Sequence, residues 1–130
     1  MRTAVIILGH GSRRQGAGDP VAGIADAMKA SGGYAAAVHA FLQYAPPSLP
    51  DAVSRCVEQG AGRIVIVPFF VQPGNHVTTD IPELVEALRK KHPGVLFSVT
   101  GHVGGHPIMV KIVEDLVVRS IAECGVRNSE

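Results

Sequence analysis

Four continuous apolar runs rich in β-branched residues, Thr3 to Leu8, Ala35 to Leu42, Arg63 to Phe70 and Val95 to Thr100, alternate with four stretches of helical periodicity. Such runs suit strands buried on both faces. Asp19-Pro20 reads as a cap followed by proline at the first helical position, with Val21, Ile24, Ala25 and Met28 on one face and Gly32-Gly33 as the stop. Ser48 or Asp51 opens a second helix that runs to Gln59 and ends at Gly60. In the third, Ile81, Leu84, Val85 and Leu88 recur at helical spacing, Asp80 and Glu83 form a capping-box-like pair, and Pro82 fits only the first turn. The fourth runs from Pro107 to about Cys124 with a stripe of Ile108, Ile112, Val113, Leu116, Val117 and Ile121.

The order β-α-β-α-β-α-β-α with short connections implies right-handed crossovers and a single-domain, four-stranded parallel α/β sheet, residues 1–130, with helices on both faces. The expected strand order is 2-1-3-4. Strands one and three are then neighbours and the order reverses between them, which is where open α/β sheets bind ligands, outside the carboxyl ends of the strands. His10 follows Val5-Ile6-Ile7-Leu8-Gly9, and His76 follows strand three in the loop Val71-Gln72-Pro73-Gly74-Asn75. Both histidines are therefore expected to face one crevice.

Composition narrows the partners. A formal net charge of +1 with scattered charges provides no broad field for nucleic acid or an acidic membrane, so an anion must be met locally. Cys56 and Cys124 are far apart and lack zinc-site spacing; they read as reduced thiols of a cytoplasmic protein. The apolar run after Met1-Arg2 is too short for a signal peptide, and no run reaches membrane-spanning length. Gly-x-Gly-x-x-Gly and Walker patterns are absent, so no nucleotide is expected.

Neutral imidazole binds Co²⁺, Ni²⁺ and Fe²⁺ and accepts a proton near neutral pH. Two histidines are too few for a closed structural site and suit an open one with exchangeable positions. Gly11-Ser12-Arg13-Arg14 offers backbone donors, a hydroxyl and two guanidiniums for carboxylates or phosphates. The segment from Phe69 to Gly74 is apolar for a βα loop and suits contact with a large planar ring, with Val71 to Gly74 beyond the strand and Phe69 and Phe70 nearer the core. His102 and His106 flank the end of strand four and are possible additional ligands; His39, inside strand two, and His92, beside Pro93, read as structural.

The segments Gly9-His10-Gly11-Ser12-Arg13 and Pro73-Gly74-x-His76-Val77-x-x-Asp80-Ile81-Pro82, with Phe41-Leu42 and Pro47-Ser48-Leu49-Pro50, resemble the small sirohydrochlorin cobaltochelatase (CbiX) family. The resemblance implies a class II chelatase, a lyase that inserts a divalent metal into a tetrapyrrole without ATP during cobalamin, sirohaem or related cofactor synthesis. The substrate metal is expected to be Co²⁺, with Ni²⁺ or Fe²⁺ as alternatives. It also implies a homodimer, with His10 and His76 as metal ligands and His10 as proton acceptor. Substrate contacts are assigned to Ser12, Arg13, Gln43, Phe70, Val71, Gln72, Pro73 and Gly74. Where many relatives read Phe-Leu-Glu-x-Ala-Glu-Pro-Ser, this chain has Phe41-Leu42-Gln43-Tyr44-Ala45-Pro46-Pro47-Ser48 and lacks two carboxylates. Thr100-Gly101-His102-Val103-Gly104-Gly105-His106-Pro107 also differs from the Pro-Leu-Gly-rich segment usual there.

Two other functions use the same residues. A cobalt or nickel carrier would hold metal at the two histidines without turnover. A phosphoryl-transfer enzyme would use His10 as nucleophile, but the histidine-phosphatase pattern needs Arg directly before His-Gly, and this chain has Gly9.

Overall fold

The computed structural model describes residues 1–72 and 74–125, apart from the side chains of 75–78, 124 and 125. Four strands, β1 (Thr3–Gly9), β2 (Ala36–Phe41), β3 (Arg63–Pro68) and β4 (Leu96–Val99), form one parallel sheet in the order β2-β1-β3-β4. The expected order is the one observed, and β1 lies between β2 and β3 with Leu8 opposite both Ala40 and Pro68. Strand alternation divides the core. Ala4, Ile6, Leu8, Ile64, Ile66 and Phe97 point to one face, where they pack with residues of helices α2 (Leu49–Glu58) and α3 (Asn75–Lys91). Val5, Ile7 and Phe41 point to the other, under Val21 and Ala25 of helix α1 (Asp19–Ser31).

The helix ends differ from expectation in ways that packing explains. Asp19 is the first helical residue rather than the cap; Gly18 takes the cap position, where the Phe41 ring leaves no room for a Cβ. Ser48 does cap α2, accepting a hydrogen bond from the Asp51 N–H at 3.2 Å. Helix α3 begins at Asn75, not Asp80, so Asp80 and Glu83 are no capping box and Pro82 lies inside the helix. An interior proline costs about 3 kcal/mol. Ile81, Val85 and Leu88 are almost wholly buried and hold the helix through it.

Helix α4 (Met109–Gly125) forms, but its apolar stripe does not cover the sheet. Ile112, Val113, Leu116, Val117 and Ile121 all face solvent. On the α1 side of the sheet this leaves Val65 and Val67 half-buried and Leu96 exposed. The thiol of Cys56, by contrast, is enclosed beneath α2, and burial pushes its pKa up to about 11 despite the opposing charge of Arg55.

Candidate metal and substrate site

At the carboxyl end of β1 the ladder continues into the neighbouring loops. Leu42 N–H donates to the Gly9 carbonyl at 3.1 Å, Gln43 N–H to the His10 carbonyl at 3.3 Å, and Phe69 N–H to the Leu8 carbonyl at 2.8 Å. These bonds draw the loops after β2 and β3 alongside His10. Gly11 completes the approach: its φ is +98°, and a Cβ would overlap the Gln43 carbonyl oxygen.

The His10 imidazole is exposed and is oriented by two neighbours. Phe70 meets it edge to face, with ring centroids 5.9 Å apart and planes at 82°. The Gln43 amide nitrogen is 3.3 Å from His10 Nε2 and donates when that nitrogen carries the lone pair. His10 also lies on the wall of two cavities. One, of about 580 Å³, is lined by Ser12, Arg13, Arg14, His39, Tyr44 and Phe69 among others. The second, of about 490 Å³, is lined by Leu42, Gln43, Asp80, Glu83 and Leu84 besides His10.

Arg13 stacks its guanidinium 4.6 Å from the centre of the Tyr44 ring, on the wall of the larger cavity. Ser12 Oγ accepts from the Arg14 N–H at 3.1 Å, tightening the loop. Phe70 is buried, whereas Val71, Gln72 and Gly74 are exposed. Pro73 lies outside the described residues. His76 is the second residue of α3 rather than part of the preceding loop, and its side chain is outside the described set. Among the described residues no three His, Cys, Asp or Glu side chains converge as a metal site.

A model of the CbiX family matches residues 4–120, which is most of the chain. The chain belongs to the CbiX family. It is 37% identical over 113 residues to a chloroplastic sirohydrochlorin ferrochelatase of Arabidopsis thaliana, covering 87% of this chain and 50% of that protein. With a sirohydrochlorin cobaltochelatase of Methanocaldococcus jannaschii it shares 33% identity over 89 residues, covering 68% of this chain and 62% of the relative. This chain thus spans about half to three fifths of the length of these curated relatives. The crystal structure of a CbiX protein from Marinobacter aquaeolei VT8 superposes with a TM-score of 0.82 at 27% identity, covering 93% of this chain and 98% of that one.

Within this CbiX chain, His102 and His106 lie in the segment between β4 and α4. They line a third cavity of about 670 Å³ with Val67, Ile108 and Ile112, and His106 Nδ1 accepts from the Ile108 N–H at 3.0 Å. The structure brings to His10 two carboxylates that sequence reasoning assigned elsewhere, Asp80 and Glu83. With α3 starting at Asn75, positions 76, 80 and 83 follow the i, i+4, i+7 pattern of one helix face. That spacing was visible in the sequence; the helix start was not.

Proposed function

We propose that this protein inserts a divalent metal into sirohydrochlorin or a related tetrapyrrole without ATP, as a homodimer in the cytoplasm, in cobalamin- or sirohaem-type cofactor synthesis. The observation that carries the proposal is the placement of His10: an exposed imidazole at the β1/β3 switch point, shared by two cavities. The names of the relatives point to the same chemistry, with iron in one and cobalt in another. Co²⁺ is the favoured substrate metal; Ni²⁺ and Fe²⁺ are the alternatives.

In this proposal His10 and His76 hold the incoming ion and leave the other positions to water, which pyrrole nitrogens replace stepwise. As ring nitrogens displace the two imidazoles from the ion, each freed imidazole takes one of the two pyrrole protons, a role for which histidine is suited. Glu83, on the wall of the second cavity, passes these protons to solvent. Arg13, held against Tyr44, grips a peripheral carboxylate of the macrocycle. Ser12, Gln43 and the segment Phe70 to Gly74 complete the contacts to the ring. The open cavities of one copy leave a tetrapyrrole largely in water, whereas ligand sites usually bury most of their ligand, so a second copy closes over it. No described helix is long and apolar enough to cross a membrane.

The test is anaerobic metallation of sirohydrochlorin with Co²⁺, Ni²⁺ and Fe²⁺, followed by absorbance beside an enzyme-free control and His10→Ala. Acceleration that disappears in His10→Ala, with circular dichroism unchanged, is the expected result. Metal binding without acceleration would instead identify a cobalt or nickel carrier using the same histidines.

A further inference from the structure

The larger of the two cavities that share His10 carries more cationic and donor groups than the metal step uses. Arg13 and Arg14 both line it, and His39 lines it from β2. Among the described residues neither guanidinium has a carboxylate partner, and the His39 imidazole makes no hydrogen bond, only an edge contact with Phe41 at 5.5 Å between ring centroids. The one carboxylate among the described lining residues is Asp19, in the first turn of α1, where the helix dipole favours it. The cavity also has apolar surface: Phe41 is buried and Phe69 half-buried.

One wall is held under strain. Ala45 N–H donates to the Gln43 carbonyl at 2.9 Å, which closes a three-residue turn with Tyr44 at its centre and a φ of +68° there. A left-handed conformation is uncommon for a bulky residue, and this form of the γ-turn is the strained one. It sets the exposed Tyr44 ring against the Arg13 guanidinium, so this cation is held at the cavity rather than left loose in solvent. Strain of this sort gathers at ligand clamps, where the surroundings over-determine it.

The second cavity has the opposite character. Asp80 and Glu83 line it, and none of its described lining residues is Lys or Arg. Gln43, which meets His10 at Nε2, lines it too. A metal cation is therefore drawn to His10 from this side, and a polyanionic ring from the other.

We propose that the larger cavity seats one edge of the tetrapyrrole, a single pyrrole-type ring with two neighbouring carboxylate arms, with Arg13 holding one arm, Arg14 the other, and His39 donating a ring N–H to one of them. The site then selects macrocycles that carry two acid arms on the same ring over those with one acid arm and an alkyl group. This rests on the chelatase reading above and names what that site recognises. Arg13 and Arg14 are consecutive, with Cα atoms about 3.8 Å apart, so the two cations suit acids on adjacent atoms of one small ring and not acids on opposite edges of a macrocycle. Each planar guanidinium takes a carboxylate through two parallel hydrogen bonds. A neutral imidazole keeps one N–H, so His39 donates without being charged. The volume of about 580 Å³ is far more than one carboxylate needs and lies in the range of sites that enclose a ring. Because His10 belongs to both cavities, a ring seated here reaches the ion held at His10.

The test is a fluorescence titration of the full chain, without metal, against uroporphyrin III, in which every ring carries an acetate and a propionate, and coproporphyrin III, in which a methyl replaces each acetate. The wild type is expected to bind uroporphyrin about tenfold tighter, as charge-assisted hydrogen bonds to the extra arm require. Arg14→Gln and His39→Leu, each with circular dichroism unchanged, are expected to bring the two ligands within about threefold. Arg63→Gln removes an exposed cation from the opposite end of the sheet and controls for net charge. A preference absent from the wild type, unchanged in either cavity variant, or lost equally in Arg63→Gln would overturn the subsite. Sirohydrochlorin metallation with Co²⁺ is followed on the same samples. Metal insertion by a wild type whose preference ignores Arg14 and His39 would overturn the subsite and leave the chelatase reading standing. A preference that depends on both residues, in a chain that accelerates no metallation, would retain the subsite and overturn the chelatase reading.

Discussion

The side-chain amide nitrogen of Gln43 lies 3.3 Å from Nε2 of His10, on the nitrogen through which an imidazole at this strand end can bind a metal. In Gln43→Glu a carboxylate takes that place. It adds charge and two acceptor oxygens within reach of an ion at His10. Co²⁺ affinity at pH 8, measured by calorimetry, should rise about tenfold, equivalent to ~1.4 kcal/mol. Equal or weaker binding would show that a metal at His10 does not sense position 43.

Glu83 and His10 share a cavity wall, although they come from α3 and from the loop after β1. If Glu83 carries pyrrole protons away, Glu83→Gln should lower kcat about a hundredfold, the low end of general acid–base contributions, with KM little changed. An effect confined to KM would assign Glu83 to binding.

Gly11 adopts a φ of +98° against the backbone of Gln43. Gly11→Ala should cost about 1–3 kcal/mol through the left-handed conformation, and more where the added methyl pushes Gln43 aside. The melting temperature should fall by roughly 5–10 °C. Because the shift separates Gln43 from His10, metallation should fall as well, even at temperatures where the variant is folded.

Cys56 keeps its proton in the folded state up to about pH 11, whereas the unfolded thiol releases it near 9. Between these values the unfolded chain binds fewer protons, so stability declines as pH rises from about 9 and is insensitive to this group below that. Urea unfolding at pH 8, 9 and 10 should show the wild type losing stability relative to Cys56→Ala as pH increases. The same enclosure should keep native Cys56 unreactive toward thiol reagents at pH 8.

The strand order was legible because the local signals agreed: continuous apolar runs such as Val5 to Leu8 and Ile64 to Val67 permit burial on two faces, and short connections force a parallel sheet. Those same signals located His10 at the switch point. Boundaries that depend on other parts of the chain were hidden. Gly18 rather than Asp19 caps α1, at a position where the ring of Phe41, twenty-three residues away in sequence, leaves no room for a side chain. The start of α3 was misplaced because Pro82 is a strong local stop signal, overridden by the burial of Ile81 and Val85.

The sequence by itself determined the class of fold, the reversal of strand order and the residue types available for metal and anion binding, since periodicity and composition act locally. Only the tertiary structure decided that Gln43 and Phe70 meet the His10 ring, that Asp80 and Glu83 share a cavity wall with it, and that the apolar stripe of α4 stays exposed. Each of these depends on where two distant segments come to rest, which is set by packing and backbone hydrogen bonds across the sheet.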